Sequence, residues 1–178
     1  VQLTNDIYDD LTPRYIDAQN IVFASNRLSD TISPRKPEIN FTPSKNDIFV
    51  YPINQANHTF IYLNRITDTP NENEIQPYPT KDNKIEYLSD YNGLYNRFYA
   101  KKDSNIAFID TSIHYSYSLQ SIPLTNCVTS INEHYVTKSN NQILYSIYQN
   151  GKFKAYETDD KASSVKNFKL TTYKSRIN

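Results

Sequence analysis

Short apolar runs bounded by polar tracts recur along the chain, as Ile21-Val22-Phe23-Ala24, Ile48-Phe49-Val50-Tyr51, Ile85-Glu86-Tyr87-Leu88 and Ile143-Leu144-Tyr145. Each is too short for a helix, and Pro and β-branched residues interrupt every longer stretch, so no segment sustains a helical period. Runs of this length, rich in aromatic and β-branched residues and closed by turn formers, predict strands. Asn92-Gly93 and Asn150-Gly151 follow two of them. This dipeptide signals a tight hairpin, because both central residues of a type I′ turn need positive φ.

The runs repeat in register. An offset of 64 carries Pro13 onto Pro77, Ile21 onto Ile85, Phe23 onto Tyr87 and Ser25 onto Ser89. A further 58 residues carry Ile85 onto Ile143, Tyr87 onto Tyr145 and Asn92-Gly93 onto Asn150-Gly151. A second marker, hydrophobic-Thr-polar, recurs as Leu3-Thr4-Asn5, Ile66-Thr67-Asp68, Leu124-Thr125-Asn126 and Leu170-Thr171-Thr172. The shortest spacing between markers approaches the ~40–45 residues of a four-stranded propeller blade. The longer two predict insertions, one at 29–45, which holds Pro34, Pro37 and Pro43, and one at 103–117, where Ile106-Ala107-Phe108-Ile109 and Tyr115-Ser116-Tyr117 read as added or lengthened strands. The expected architecture is all-β: four-stranded antiparallel propeller blades over about 5–67, 68–125 and 126–172, forming an open arc. Since a closed propeller takes typically 4–8 blades, three predict a fragment of a longer chain or a ring completed by other chains.

Composition supports strands. The 178 residues include 16 Tyr and 8 Phe with no Trp or Met, so the apolar material is mostly amphipathic ring. With only two Gly, left-handed turn positions fall largely to Asn and Asp. Lys plus Arg balances Asp plus Glu at 19 each, which removes the electrostatic footprint of a nucleic-acid or anionic-membrane binder. No apolar run approaches the ~20 residues of a membrane-spanning helix. The single Cys127 forms no internal disulfide and reads as inert filler.

These residues resemble the PD40, or TolB-like, propeller repeat: Leu3-Thr4, Asp10, Pro13, Tyr15 and Ile21-Val22-Phe23-Ala24-Ser25-Asn26-Arg27, then Ile66-Thr67, Glu74, Pro77, Asp82-Asn83 and Ile85-Glu86-Tyr87-Leu88-Ser89-Asp90. The chain departs from that pattern in lacking its Trp and its Ser-Pro-Asp-Gly turn, and its third copy lacks the Pro. The style is similar to large Asn- and Tyr-rich envelope proteins of Bacteroidota-type bacteria. The resemblance implies a protein-interaction scaffold of the periplasm or outer membrane, with other protein chains as partners. An accessory propeller of a larger hydrolase and a carbohydrate-binding propeller are the alternatives it leaves.

Asp10 and Glu74 share one repeat position, with Asn132 expected at the corresponding place in the third copy. Such a ring of oxygens could receive a cation or a partner's basic side chain at a channel mouth, or accept backbone N–H bonds as a structural lock. Tyr91, Tyr95 and Tyr99, near one hairpin, could form an aromatic contact patch for protein or glycan. No catalytic role is expected: no Gly-x-Ser-x-Gly elbow occurs, and His58, His114 and His134 share no spacing with Ser25 or Ser89. His114, Cys127 and His134 match no zinc spacing, and the acidic run 68–74 lacks the alternating ligands and Gly of a calcium loop, so neither metal nor cofactor is expected. Asn40-Phe41-Thr42 and Asn57-His58-Thr59 have the form of glycosylation sequons.

Overall fold

The computed structural model describes residues 2–33, 42–55, 59–80, 84–109, 113–137, 142–159 and 165–177, and of 102–109, 113–118 and 177 the backbone alone. Pro34 and Pro37, Asn40 and Asn57 of the sequons, His58 and the Asp82-Asn83 turn lie outside the described residues. Thirteen strands occur among them: β1 Asp10–Tyr15, β2 Asn20–Ser25, β3 Thr31–Ile32, β4 Asp47–Pro52, β5 Ile61–Tyr62, β6 Asn64–Arg65, β7 Glu74–Pro79, β8 Ile85–Ser89, β9 Asn96–Ile109, β10 Ile113–Pro123, β11 Ile131–Val136, β12 Gln142–Gln149 and β13 Lys152–Asp159. A short helix, α1 Lys174–Ile177, follows.

The chain is all-β, and its strands form successive antiparallel sheets, none of them closed. Sheet 1 runs β1-β2-β4-β6, sheet 2 runs β7-β8-β9-β10, and sheet 3 runs β11-β12-β13. The pair β3–β5 stands apart. Sheets 1 and 2 share one register: Asp10↔Ser25, Leu11↔Ala24, Arg14↔Val22 and Tyr15↔Ile21 become, 64 residues on, Glu74↔Ser89, Ile75↔Leu88, Tyr78↔Glu86 and Pro79↔Ile85. Even the bulge recurs, with Thr12 at φ 51° and Gln76 at φ 52°. Neither residue type favours that region, so the bulge is imposed by the pairing on either side of it. The third strands are related by only 49 residues, Phe23↔Phe49 matching Tyr87↔Phe98, which places the expected first insertion between β2 and β4. The material at 103–117 lengthens β9 and β10 into a long two-stranded ribbon.

Each sheet carries one cross-strand aromatic pair at the same place. Phe23 and Phe49 lie 6.0 Å apart, Tyr87 and Phe98 6.2 Å, and Tyr145 and Tyr156 5.5 Å, all stacked. Because side chains alternate across a strand, the residues between them face the other way. Val22, Ala24, Ile48 and Val50 on that second face of sheet 1 pack on Tyr87 and Phe98 of sheet 2. Tyr78, Val136, Ile143 and Tyr145 then join sheets 2 and 3. The opposite face of sheet 1 is covered within the chain by Ile32, Ile61, Leu63 and Leu3. Burial of each such side chain stabilises by about 1.5–3 kcal/mol, so the stack is held by face-to-face apolar contact.

Three expectations need correction. Leu170–Thr172 forms no outer strand, because Thr171 bonds the Asn92 carbonyl through both its N–H (3.0 Å) and its hydroxyl (2.6 Å), and Phe168 packs edge-on against Phe98. The segment thus docks on sheet 2, and among the described residues no fourth strand follows β13. Residues 2–9 likewise form no strand; Leu3 is drawn into the covering of sheet 1. Finally, only Asn150-Gly151 has both residues at positive φ (53° and 76°), between the paired Gln149 and Lys152. At the other site a turn closes from Gly93 N–H to Asp90 O (2.7 Å) with Gly93 alone left-handed at φ 92°. A Cβ on Gly93 would stand 2.6 Å from Thr171 Oγ1, so the docked segment also requires this glycine.

Candidate functional site

Asp10 and Glu74 both open their sheet's first strand, at equivalent pairings, but their chemistry differs. Arg27 Nη2 donates to both oxygens of Asp10, at 2.7 and 2.9 Å, while its Nη1 reaches Asp6 and its Nε Ser25 Oγ. The guanidinium, 1% exposed, lies over Tyr8, Phe23 and Phe49. Asp10 is fully engaged in this bidentate pair. Glu74 is buried, accepts from Ser89 Oγ at 3.2 Å on Oε1, and leaves Oε2 without a hydrogen-bond partner. Burial pushes its carboxyl up to about 8; the charges of Asp47 and Glu72 add to the rise, and the hydroxyls of Thr69 and Ser89 oppose it. It is therefore protonated at neutral pH.

Asn132 does not complete a ring with them. It falls in the bulge between Ile131 and Glu133, and Ile131 takes the Glu74 position: Ile131 N–H bonds Tyr95 O as Glu74 N–H bonds Asn46 O. The offset between copies shrinks by one residue across this strand, a shift that composition and spacing do not reveal. The three tyrosines also separate. Tyr91 packs on Phe98 and Phe168, Tyr95 accepts a hydrogen bond from Asn73 at 2.6 Å, and Tyr99 lies under Lys84.

β7 lies against both β1 and β11, and the three first strands line an open cleft of about 450 Å³. Thr12 and Arg14 of β1, Gln76 and Tyr78 of β7, and His134 and Tyr135 of β11 form its wall. Arg14 donates to Tyr78 Oη at 3.0 Å and stacks on that ring, and among the described residues it makes no ion pair. Tyr78 in turn meets His134 and Tyr135 edge-on. His134 Nε2 lies 2.7 Å from the Gln76 carbonyl, which can only accept, so Nε2 carries the proton and Nδ1 is left as a buried acceptor without a partner. Burial, with the charges of Arg97 and Arg14, lowers its pKa to about 4. The cleft depends on bulges in three separate strands, and no residue type at 12, 76 or 134 signals it in the sequence.

Sheet 3 presents a second feature. The face turned from sheet 2 exposes Tyr135 (51%), Leu144 (46%), Tyr148 (52%) and Phe153 (71%), and β13 is exposed along its whole length as an edge strand. Among the described residues no three His, Cys, Asp or Glu side chains converge as metal ligands, and no helix is long and apolar enough to cross a membrane. No family model matches this chain, and no curated protein matches it.

Proposed function

We propose that the chain is an arc of TolB-like propeller blades serving as a non-catalytic protein-interaction scaffold, with another protein chain docked on the free face and edge of sheet 3. The common register and the repeated aromatic pair support the blade reading. The bare face carries the functional one. Parity makes it the counterpart of the face of sheet 1 that packs on sheet 2, and it is apolar where a next layer would lie. Sheets 1 and 2 each have a fourth strand beyond their third; the β13 edge leaves that place open to an extended segment of a partner. A bacterial-envelope setting rests on the repeat resemblance alone. Ser25 and Ser89 are bonded to Arg27 and Glu74, an arrangement that offers no base to either hydroxyl and supports a non-catalytic role.

A photo-crosslinking residue placed at Phe153 should give one discrete protein adduct in the cell of origin. The same residue at Tyr62, exposed on the covered side of sheet 1, should not. Protection of β13 amides from hydrogen exchange in the purified complex is the accompanying expectation. Equal adduct ladders at both positions, or none at Phe153, would reject the scaffold reading. The tyrosine-lined cleft favours the carbohydrate alternative, since Tyr78, Tyr135 and Tyr145 offer ring faces beside Arg14 and Glu133. Saturable oligosaccharide binding that is lost in Tyr135→Ala would support it.

A further inference from the structure

Sheet 1 contains a built-in guanidinium site. The Arg27 head is held by Asp10, Asp6 and Ser25 Oγ and sandwiched near the stacked rings of Phe23 and Phe49. In sheet 2 the main parts of this cage recur in the same register: Glu74 for Asp10, Ser89 for Ser25, Tyr87 for Phe23 and Phe98 for Phe49. The cation does not recur. Tyr91 stands where Arg27 would, and its ring turns aside onto Phe98 and Phe168.

What remains is a cavity of about 320 Å³ walled by Tyr91, Phe98 and Phe168, with Glu74 and Ser89 at its polar end. The nearby lysines are committed elsewhere, Lys45 to Asp90 and Lys174 to Glu72 and the Asn71 carbonyl. Glu74 Oε2 lacks any hydrogen-bond partner although the residue is 1% exposed. A carboxyl without its cation, beside three aromatic rings, is the complement of a planar organic cation that can donate N–H bonds in its plane and present its faces to the rings.

We propose that this cavity binds a guanidinium group, supplied either by a free small molecule or by the arginine side chain of another protein. Binding converts the neutral Glu74 carboxyl to a carboxylate, and the displaced proton passes to solvent. Asp47 and Glu72 disfavour that ionisation, Thr69 and Ser89 favour it, and Lys174 already offsets Glu72. Affinity therefore rises with pH up to about 8, where the carboxyl is ionised without the ligand. The cage belongs to sheet 2 and stands whether or not sheet 3 has a neighbour.

Calorimetry on the full chain with methylguanidinium chloride at pH 7, repeated in buffers of different ionisation enthalpy, tests the site. Saturable binding with uptake of close to one proton by buffer is expected, and tetramethylammonium, which cannot donate hydrogen bonds, should bind at least about tenfold more weakly. Free arginine binding more tightly than a capped arginine tripeptide assigns the group to a small molecule; the reverse order assigns it to a protein side chain. Glu74→Gln should abolish the proton release and lower affinity at least about tenfold while the melting temperature at pH 7 holds, since the native carboxyl is already neutral. Tyr91→Arg should refill the cage from within, raising the melting temperature and abolishing methylguanidinium binding. Absence of saturable binding, or binding unchanged in Glu74→Gln, overturns the proposal. Should Tyr91→Arg not fold, the Glu74→Gln titration decides alone.

Discussion

Two buried groups tie stability to pH in opposite directions. Glu74 holds its proton up to about 8 in the folded chain but only to about 4.5 when unfolded, so between those values folding binds a proton and stability falls as pH rises. His134 releases its proton at about 4 when folded against 6.5 unfolded, so between those values stability rises with pH. The two slopes oppose each other from about 4.5 to 6.5 and leave Glu74 alone from 6.5 to 8. Stability is expected to decline there by at most about 1.4 kcal/mol per pH unit, and urea unfolding at intervals across that window should show a flat profile in Glu74→Gln. The repeat position of Glu74 is legible in the sequence through its match with Asp10. Its missing cation is legible only after the cross-strand register assigns Tyr91 to the place of Arg27, and His134 is marked by no local signal at all.

At the level of the strand, the Thr marker is explained by a recurring bond pattern. Thr67 Oγ1 accepts the Ile48 N–H at 2.8 Å and donates to Asp47 Oδ1; Thr125 Oγ1 accepts the Arg97 N–H at 2.9 Å and donates to Asn96 Oδ1. The same Asp47 and Asn96 oxygens then receive the N–H of Thr69 and Cys127. The hydroxyl thereby fastens the strand end to the start of the third strand, satisfying a donor that burial would otherwise strand. Thr67→Val and Thr125→Val should each cost about 1–3 kcal/mol in chemical denaturation, while Thr158→Val, on the exposed strand β13, should change little. Thr171 carries the marker without the pattern, because its Oγ1 serves the Asn92 carbonyl and the N–H of Lys174. A three-residue marker reports the hydroxyl but not the Asp or Asn partner that lies some 20–30 residues earlier, which is why one marker misplaced a strand.

Across the molecule the stack has one covered end and one open end. Ile32, Ile61, Leu63 and Leu3 seal the outer face of sheet 1, whereas Leu144 and Phe153 on sheet 3 remain exposed. In the isolated chain Ile61→Ala should lower unfolding free energy by about 2–5 kcal/mol and Leu144→Ala by less than about 0.5 kcal/mol; a large loss at Leu144 would mean that this face is covered. The insertion that disturbed the repeat spacing thus flanks the strands that form the cover. By itself the sequence determined the strands, the 64-residue register and the cross-strand aromatic pairs, because side-chain alternation and fixed pairing leave periodic marks along the chain. Tertiary structure alone decided that Asp10 is paired and Glu74 is not, that Phe168 closes a cavity over Phe98, and that His134 reaches the backbone of Gln76. These outcomes turn on desolvation and on which distant groups meet, and neither quantity is written in the local order of residues.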